Sequence, residues 1–366
     1  MSRRADVAIV GAGIAGASLA AEIAGEVSVL LLEAEEQPGY HSTGRSAAFW
    51  SETYGGPAVQ PLTTASGPWL EERGFLGPRG GLHIAAGDSA PLDALARELG
   101  GAVELERLGR SALEARVPGL RPAWRDGLYE PTCADIDVAA LHACYLKQAR
   151  GEGAQLVTGA RVERATREDG AWVIETRAGT FIADILVDAA GAWADEVAGR
   201  AGLAPIGIQP YRRTVAQLRV DPPAPADLPL VIDALGRFYF KPEAGGRIWL
   251  SPHDETAMAA CDCAPDELDV AIAIERLESV VDWTIERVEH KWAGLRTFAP
   301  DRVPVYGFAP RRRDFFWFAG QGGFGIQTAP AAAKLAAALL LDRDPDPMIA
   351  GIDPELYSPE RFVSGG

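Results

Sequence analysis

Residues 6–33, DVAIVGAGIAGASLAAEIAGEVSVLLLE, set three glycines and one carboxylate at a spacing that suits a dinucleotide. Gly11 permits a tight strand-to-helix turn, Gly13 leaves room for a pyrophosphate against the backbone, and Gly16 allows close helix–sheet packing. The helix opening at Ile14 and Ala15 offers free N–H groups and partial positive charge to a phosphate. Glu33, followed by Ala34, ends the second strand, where its carboxylate can accept hydrogen bonds from both hydroxyls of an adenosine ribose. A lone GxGxxG says little. With a strand before it, a helix after it and an acid about 20 residues on, it points to a dinucleotide-binding unit.

Further small-residue segments follow the same logic. In HSTGRSAA (41–48), Ser46 and Ala47 are small enough for backbone N–H groups to reach a phosphate or a ring edge. Arg45 is either a phosphate partner or an arginine paired within its own loop. Ala190 and Gly191 in DAAGAW make a close strand-to-helix crossing. In GQGGFGIQT, Gly322, Gly323 and Gly325 are expected at a helix N-terminus, whose N–H groups and dipole stabilise negative charge. Arg213 in QPYRRTVAQLRV and Arg296 in WAGLRTF carry the planar fork that suits a carboxylate, unless they are solvated or ion-paired. Strand alternation puts Tyr211, Arg213, Val215 and Gln217 on one face and Arg212 and Thr214 on the other.

The elements that must position these residues alternate between strand and helix. After Glu33 a polar, glycine-containing stretch intervenes, where Ser42 or Thr43 is expected to cap a short helix over RSAAF. Helical patterns cover 58–74, 88–99 and 138–150, the last with Asp135 or Asp137 as its start signal. Residues 155–194 read as successive strands and 206–251 alternate as antiparallel strands. PDELDVAIAIERLESVV is a capped amphipathic helix, VEHKWAGLRTF a strand, and the tail strand, glycine loop and helix. The net charge of −16 argues against nucleic acid or an anionic membrane surface. Four cysteines are too few for a disulfide framework, and Cys261 and Cys263 lack a second ligand cluster, so no metal site is expected. The first strand begins at Asp6, leaving no room for a signal peptide, and no apolar run approaches transmembrane length; a cytoplasmic protein is expected.

Taken in order, GAGIAG with Glu33, HSTGRSAA, LVDAAGAWA, and WAGLRTFAPDRVPVYG followed by GQGGFGIQTAP resemble the FAD-dependent D-amino-acid oxidase superfamily. With YRR and FYFKP, the pattern is most similar to the D-arginine type of its D-amino-acid dehydrogenase branch, near glycine and sarcosine oxidases. The resemblance implies an α/β fold: a discontinuous Rossmann-like FAD-binding domain (1–75, 138–203 and 298–366) with an inserted mixed-sheet α+β substrate domain (76–137 and 204–297). It implies cofactor contacts from the segments above, including Thr43, Gly44, Ala48, Val162, Trp193, Phe324, Ile326 and Gln327. It matches the second arginine of YRR, Arg213, to the substrate carboxylate together with Arg296, and leaves Arg212 on the surface. Tyr239 matches an active-site tyrosine, Tyr54 a pocket-lining one, and Gly294 falls in the pocket segment; both tyrosines also suit plain structural roles. In sarcosine oxidases a cysteine links the flavin from the strand that here reads KWAGLRTF. That strand has no cysteine, so non-covalent FAD is expected.

The chemistry expected is oxidative deamination of an α-amino acid. A carboxylate clamp holds the α-hydrogen about 3–3.5 Å from the flavin. A neutral amine then drives hydride transfer, and water hydrolyses the imino acid to a 2-oxo acid and ammonia. The electron acceptor is left open between oxygen, a quinone and another carrier. Phe49 stands where the D-arginine type has histidine, and Gly81 where it has an acid, so neutral or apolar D-amino acids are expected substrates. Trp50, Leu82 and Ile84 fit an apolar wall, and His83 is either structural or a partner for a polar group. The alternatives are a 2-hydroxy-acid dehydrogenase of the L-2-hydroxyglutarate type and a non-catalytic flavoprotein subunit.

Overall fold

The computed structural model describes residues 3–362. Its first sheet has eight strands, five of them parallel in the order Gln155–Val157, Val29–Leu32, Arg3–Val10, Gly179–Asp188 and Phe315–Ala319. These central strands are almost continuous apolar runs, as a parallel sheet covered on both faces requires. Antiparallel strands Ala171–Thr176 and Val162–Glu168 extend one side, and Val305–Phe308 pairs with Phe315–Ala319. Helix Ile14–Ile23 is packed between helices Val138–Gly151 and Ala329–Leu341, and its Ala17, Leu19, Ala20 and Ile23 are fully buried. A second apolar cluster, with Trp172, Phe315 and Trp317, fills the opposite face.

The second sheet has nine strands, mostly antiparallel. Its backbone is the long pair Gln209–Asp221 and Thr284–Phe298, continued through Arg247–Ser251, Tyr239–Glu243, Leu230–Asp233, Gly81–Ala86, Trp124–Glu130 and Glu106–Gly109. Helix Glu267–Val280, capped by Asp266, buries Val270, Ala273 and Leu277 against one face, on Leu218, Phe240, Ile248 and Leu250. Strand alternation therefore turns Arg213, Tyr239 and His83 to the other face. A three-stranded sheet of Phe49–Trp50, Ala134–Ile136 and Leu76–Pro78 joins the two parts.

The expected helices form at Gln60–Glu72, Ala90–Leu99 and Val138–Gly151, the last capped by Asp137, whose side chain accepts from Ala140 N–H. The helix expected over RSAAF does not form: residues 40–45 are turns, and a strand starts at Phe49. Its capping hydroxyls go to tertiary partners instead, Ser42 Oγ donating to Leu295 O at 2.6 Å and Thr43 Oγ1 accepting from Ile14 N at 3.0 Å. Ala48, at φ +55°, would break a helix there in any case. The tail glycines also precede their helix rather than open it, since 323–328 are turns and the helix starts at Ala329.

Candidate functional site

A cavity of about 310 Å³ opens beside the carboxyl ends of the parallel strands. Gly11 turns the chain there at φ +100°, and a Cβ on it would lie 2.5 Å from Ala189 O. A Cβ on Gly16 would strike Gly11 O, so both glycines are required by close approach. Thr43 closes this turn from outside, its Oγ1 accepting Ile14 N–H and lying 3.2 Å from where a Gly13 Cβ would be. Glu33 Oε2 accepts Ala12 N–H at 2.8 Å and Oε1 accepts Glu35 N–H at 2.9 Å, which fixes the carboxylate at the cavity wall. His142, which sequence reasoning missed, supports the turn by donating Nε2–H to Ala12 O at 2.8 Å. Its partner lies 130 residues away, and only the fold brings the two together.

Gly11, Gly13, Ile14, Ala15, Glu33, Ala34, Thr43, Ser46 and Val162 line this cavity. Ala190, Gly191, Trp193, Gly322, Gly323, Gly325, Ile326 and Arg296 also line it. A glycine cradle, a helix start and a fixed carboxylate along one elongated cavity fit a dinucleotide flavin. Of the remaining expected contacts, Gly44 donates its N–H to Gly39 O, Ala48 O accepts from Lys241 Nζ, and Phe324 packs on Phe298 and Tyr54. Arg45 is spent on protein partners, Asp262 at 2.6 Å and the carbonyls of Ala293 and Cys263.

A second cavity of about 20 Å³ adjoins the first and shares Ser46, Arg296, Gly323 and Ile326 with it. Phe49, Ala47, Tyr54, Arg213, Tyr239 and Gln327 complete its lining. Arg213 is 2% exposed; its Nε donates to Asp254 O at 2.9 Å and its Nη1 to Tyr54 Oη at 3.4 Å. Burial lowers its pKa, but Tyr54, Tyr239, Glu255 and Asp254 outweigh this and raise it. Arg296 is buried and its pKa is lowered by desolvation, though a guanidinium keeps its charge throughout the working range. Burial raises the Tyr239 phenol, so it remains a donor. Tyr54 lies between Phe49 and Phe324 at ring distances of 5.2 Å, over Gly323, where a Cβ would meet its hydroxyl. Gln327 holds the Tyr54 segment, its Nε2 lying within hydrogen-bond distance of Ser51 O, Tyr54 O and Thr63 Oγ1.

Several expected pocket residues stand elsewhere. Gly81 is buried against Cys133 and Glu130: a Cβ on it would lie 3.1 Å from Cys133 Cβ and 3.6 Å from Glu130 Oε2. It lines neither cavity. His83 is 7% exposed, and its Nε2 is 2.9 Å from Thr53 Oγ1, which donates to Glu130 Oε2 at 2.6 Å. That polar network is internal, and burial pushes the His83 pKa down to about 4. Leu82 and Ile84 belong to the core under helix Glu267–Val280. Gly294 is paired with Arg213 across the strands, with Arg45 and Arg296 filling the space beside it. Arg212 is on the opposite face from Arg213, as alternation requires, but it is no free surface residue: it binds Asp269 at 2.6 Å and Asp254 at 3.5 Å.

Sequence reasoning missed the PHDE segment after strand Arg247–Ser251. His253 faces Tyr239 and Tyr54 at ring distances of 5.7 and 6.4 Å, and its Nδ1–H donates to Gly236 O at 2.6 Å. Burial, then Arg213 and Arg302, push its pKa down to about 3. Glu255 reaches Arg213 and Arg302. The signal was present only as three polar residues after a strand, of which His253 adopts φ +54°.

The model of the family "FAD dependent oxidoreductase" matches residues 6–339. The Synechocystis bifunctional protein ThiO/ThiG is 26% identical over 377 residues, covering 100% of this chain, and the chain spans 55% of that protein's length. Glycine oxidase of Geobacillus kaustophilus is 26% identical over 363 residues, covering 93% of this chain and 94% of the relative. The structure of L-proline dehydrogenase from P. horikoshii superposes with a TM-score of 0.86 at 22% identity, covering 100% of this chain and 99% of that one. This chain belongs to the DAO family of FAD-dependent oxidoreductases.

Proposed function

We propose that the chain oxidises an α-amino acid of D configuration, with a neutral or apolar side chain, to an imino acid that water converts to a 2-oxo acid and ammonia. The carrying observation is the convergence of Arg213, Arg296, Tyr54 and Tyr239 on one small cavity that opens to the dinucleotide cavity. The two guanidiniums hold the carboxylate, the tyrosine hydroxyls add donors, and burial strengthens both by excluding water. FAD, when bound, supplies the hydride acceptor. Phe49, Ala47, Ser46, Gly323, Ile326 and Gln327 line the remaining wall, and among the described residues no Asp, Glu, His or Lys does, so a cationic side chain finds no counter-charge there. The motif resemblance supports the D configuration, and the glycine oxidase relatives support amino acids as the substrate class.

In this reading 1–75, 138–203 and 298–366 bind the cofactor and 76–137 and 204–297 the substrate, with the small cavity where the two meet. FAD without a covalent bond belongs to this reading, and a cysteinyl link has no support, since no cysteine lines either cavity among the described residues. A second reading, a 2-hydroxy-acid dehydrogenase, needs a base at the carbinol; neutral His253 packs on Tyr54 and Tyr239 but lines neither cavity. Its low pKa makes it a weak base, which favours the amine. The deciding experiment is anaerobic flavin reduction by a panel of D- and L-amino acids, glycine and 2-hydroxy acids. Reduction by neutral D-amino acids, with ammonia released, supports the first reading; reduction by 2-hydroxy acids alone overturns it.

A further inference from the structure

Glu255, which lines neither cavity, takes one of the charged hydrogen-bond positions of Arg213. Its Oε1 accepts from Arg213 Nη2 at 3.0 Å and from Arg302 Nη2 at 2.8 Å. Exposure rises along this bridge, from 2% for the Arg213 side chain to 35% for Glu255 and 49% for Arg302. The ion triad thus runs from the buried clamp to solvent. Arg213 keeps its direction without Glu255, because Nε is bound to Asp254 O at 2.9 Å and its strand pairs with Gly294 on the neighbouring strand. Arg302 is likewise fixed, its guanidinium 3.8 Å above the Phe298 ring. Arg302 of the triad and His253 beside it adopt φ of +66° and +54°, a left-handed conformation that non-glycine residues keep where surrounding structure enforces it.

We propose that Glu255 is an internal competitor for the carboxylate clamp: it occupies Arg213 Nη2 in the free enzyme, and a substrate carboxylate binds by replacing it while Glu255 stays on Arg302. The inference rests on the reading of Arg213 as the substrate's carboxylate partner. A buried guanidinium without an anion is costly, so the competitor stabilises the free enzyme. It also lowers apparent substrate affinity by the fraction of enzyme in which the clamp is free. Glu255 is a positioning residue in this account, since it acts through Arg213. A purely structural Glu255, needed to aim Arg213, would have the opposite effect on affinity.

The test uses FAD-loaded enzyme and propionate as the carboxylate probe, titrated by calorimetry, beside reductive kinetics with the preferred amino acid. Glu255→Gln removes the charge at constant size and is expected to tighten propionate about tenfold, the worth of one charge-assisted hydrogen bond. The KM falls in step, by more than kcat changes. Glu255→Asp keeps the charge and falls between. Arg302→Gln frees Glu255 to stay on Arg213 and weakens propionate, which keeps the proposal testable should Glu255→Gln fail to fold. Unchanged or weaker propionate binding in Glu255→Gln, with binding still lost in Arg213→Met, overturns the competitor and leaves the clamp. Wild-type propionate binding in Arg213→Met overturns the clamp itself.

Discussion

His253 and His83 are held neutral by burial, at pKa values of about 3 and about 4 against an ordinary 6.5, with Arg213 and Arg302 adding to the shift at His253. In the unfolded chain both take up protons below pH 6.5. Their contribution to stability is therefore complete above pH 6.5 and is lost as pH falls toward 4 and 3. Denaturant melts from pH 7 to pH 4 are expected to show this decline, and His253→Gln to flatten part of it; an unchanged slope would assign the decline elsewhere. Gly81 marks the limit of what strand alternation can read. Strand parity correctly separates Arg213 from Arg212, because it depends only on neighbours along one strand. It says nothing of what stands across a face, and Cys133 and Glu130 fill the space beside Gly81. Gly81→Glu is accordingly expected to lose stability and gain no D-arginine turnover, and improved kcat/KM for D-arginine would contradict this.

The glycine turn is not self-sufficient as an element. Helix Ile14–Ile23 has Gly13 at its N-cap and no capping side chain of its own, and Thr43, 29 residues on, supplies the oxygen. Thr43→Ala is expected to cost about 0.5–2 kcal/mol, the usual range for a lost N-cap, and to weaken FAD binding, with Thr43→Ser restoring both. Equal melting temperature and FAD affinity in wild type and Thr43→Ala would show that the turn holds without it. The cap was visible in the sequence as a cap, but assigned to the wrong helix. Local capping competes with tertiary bonds, and Ser42 to Leu295 O and Thr43 to Ile14 N–H decided the competition. Elements with a strong period, such as Glu267–Val280, were legible because one apolar face specifies them.

Across the whole molecule, alternating strands and helices around a glycine turn made the first sheet legible, while the second sheet depends on long-range pairing, such as Gly81–Ala86 with Leu230–Asp233, that no local pattern announces. The PHDE segment belongs to that second kind. Both cavities lie where the sheets meet, and the described residues include no helix long and apolar enough to cross a membrane. Cys263 is buried with Ala192, Ala293 and Leu295, outside both cavities. Acid precipitation is thus expected to release all the flavin as FAD, and colour retained in the pellet would refute a non-covalent site. Arg213 and Arg296 are proposed to hold a substrate carboxylate. The most direct test of this clamp is the concentration dependence of anaerobic flavin reduction by D-leucine in wild type, Arg213→Met and Arg296→Met. Losing a charge-assisted bond worth roughly 1.5–3 kcal/mol predicts a half-saturation concentration about 10- to 150-fold higher in each variant, with FAD content intact. Wild-type saturation in both variants would contradict the account.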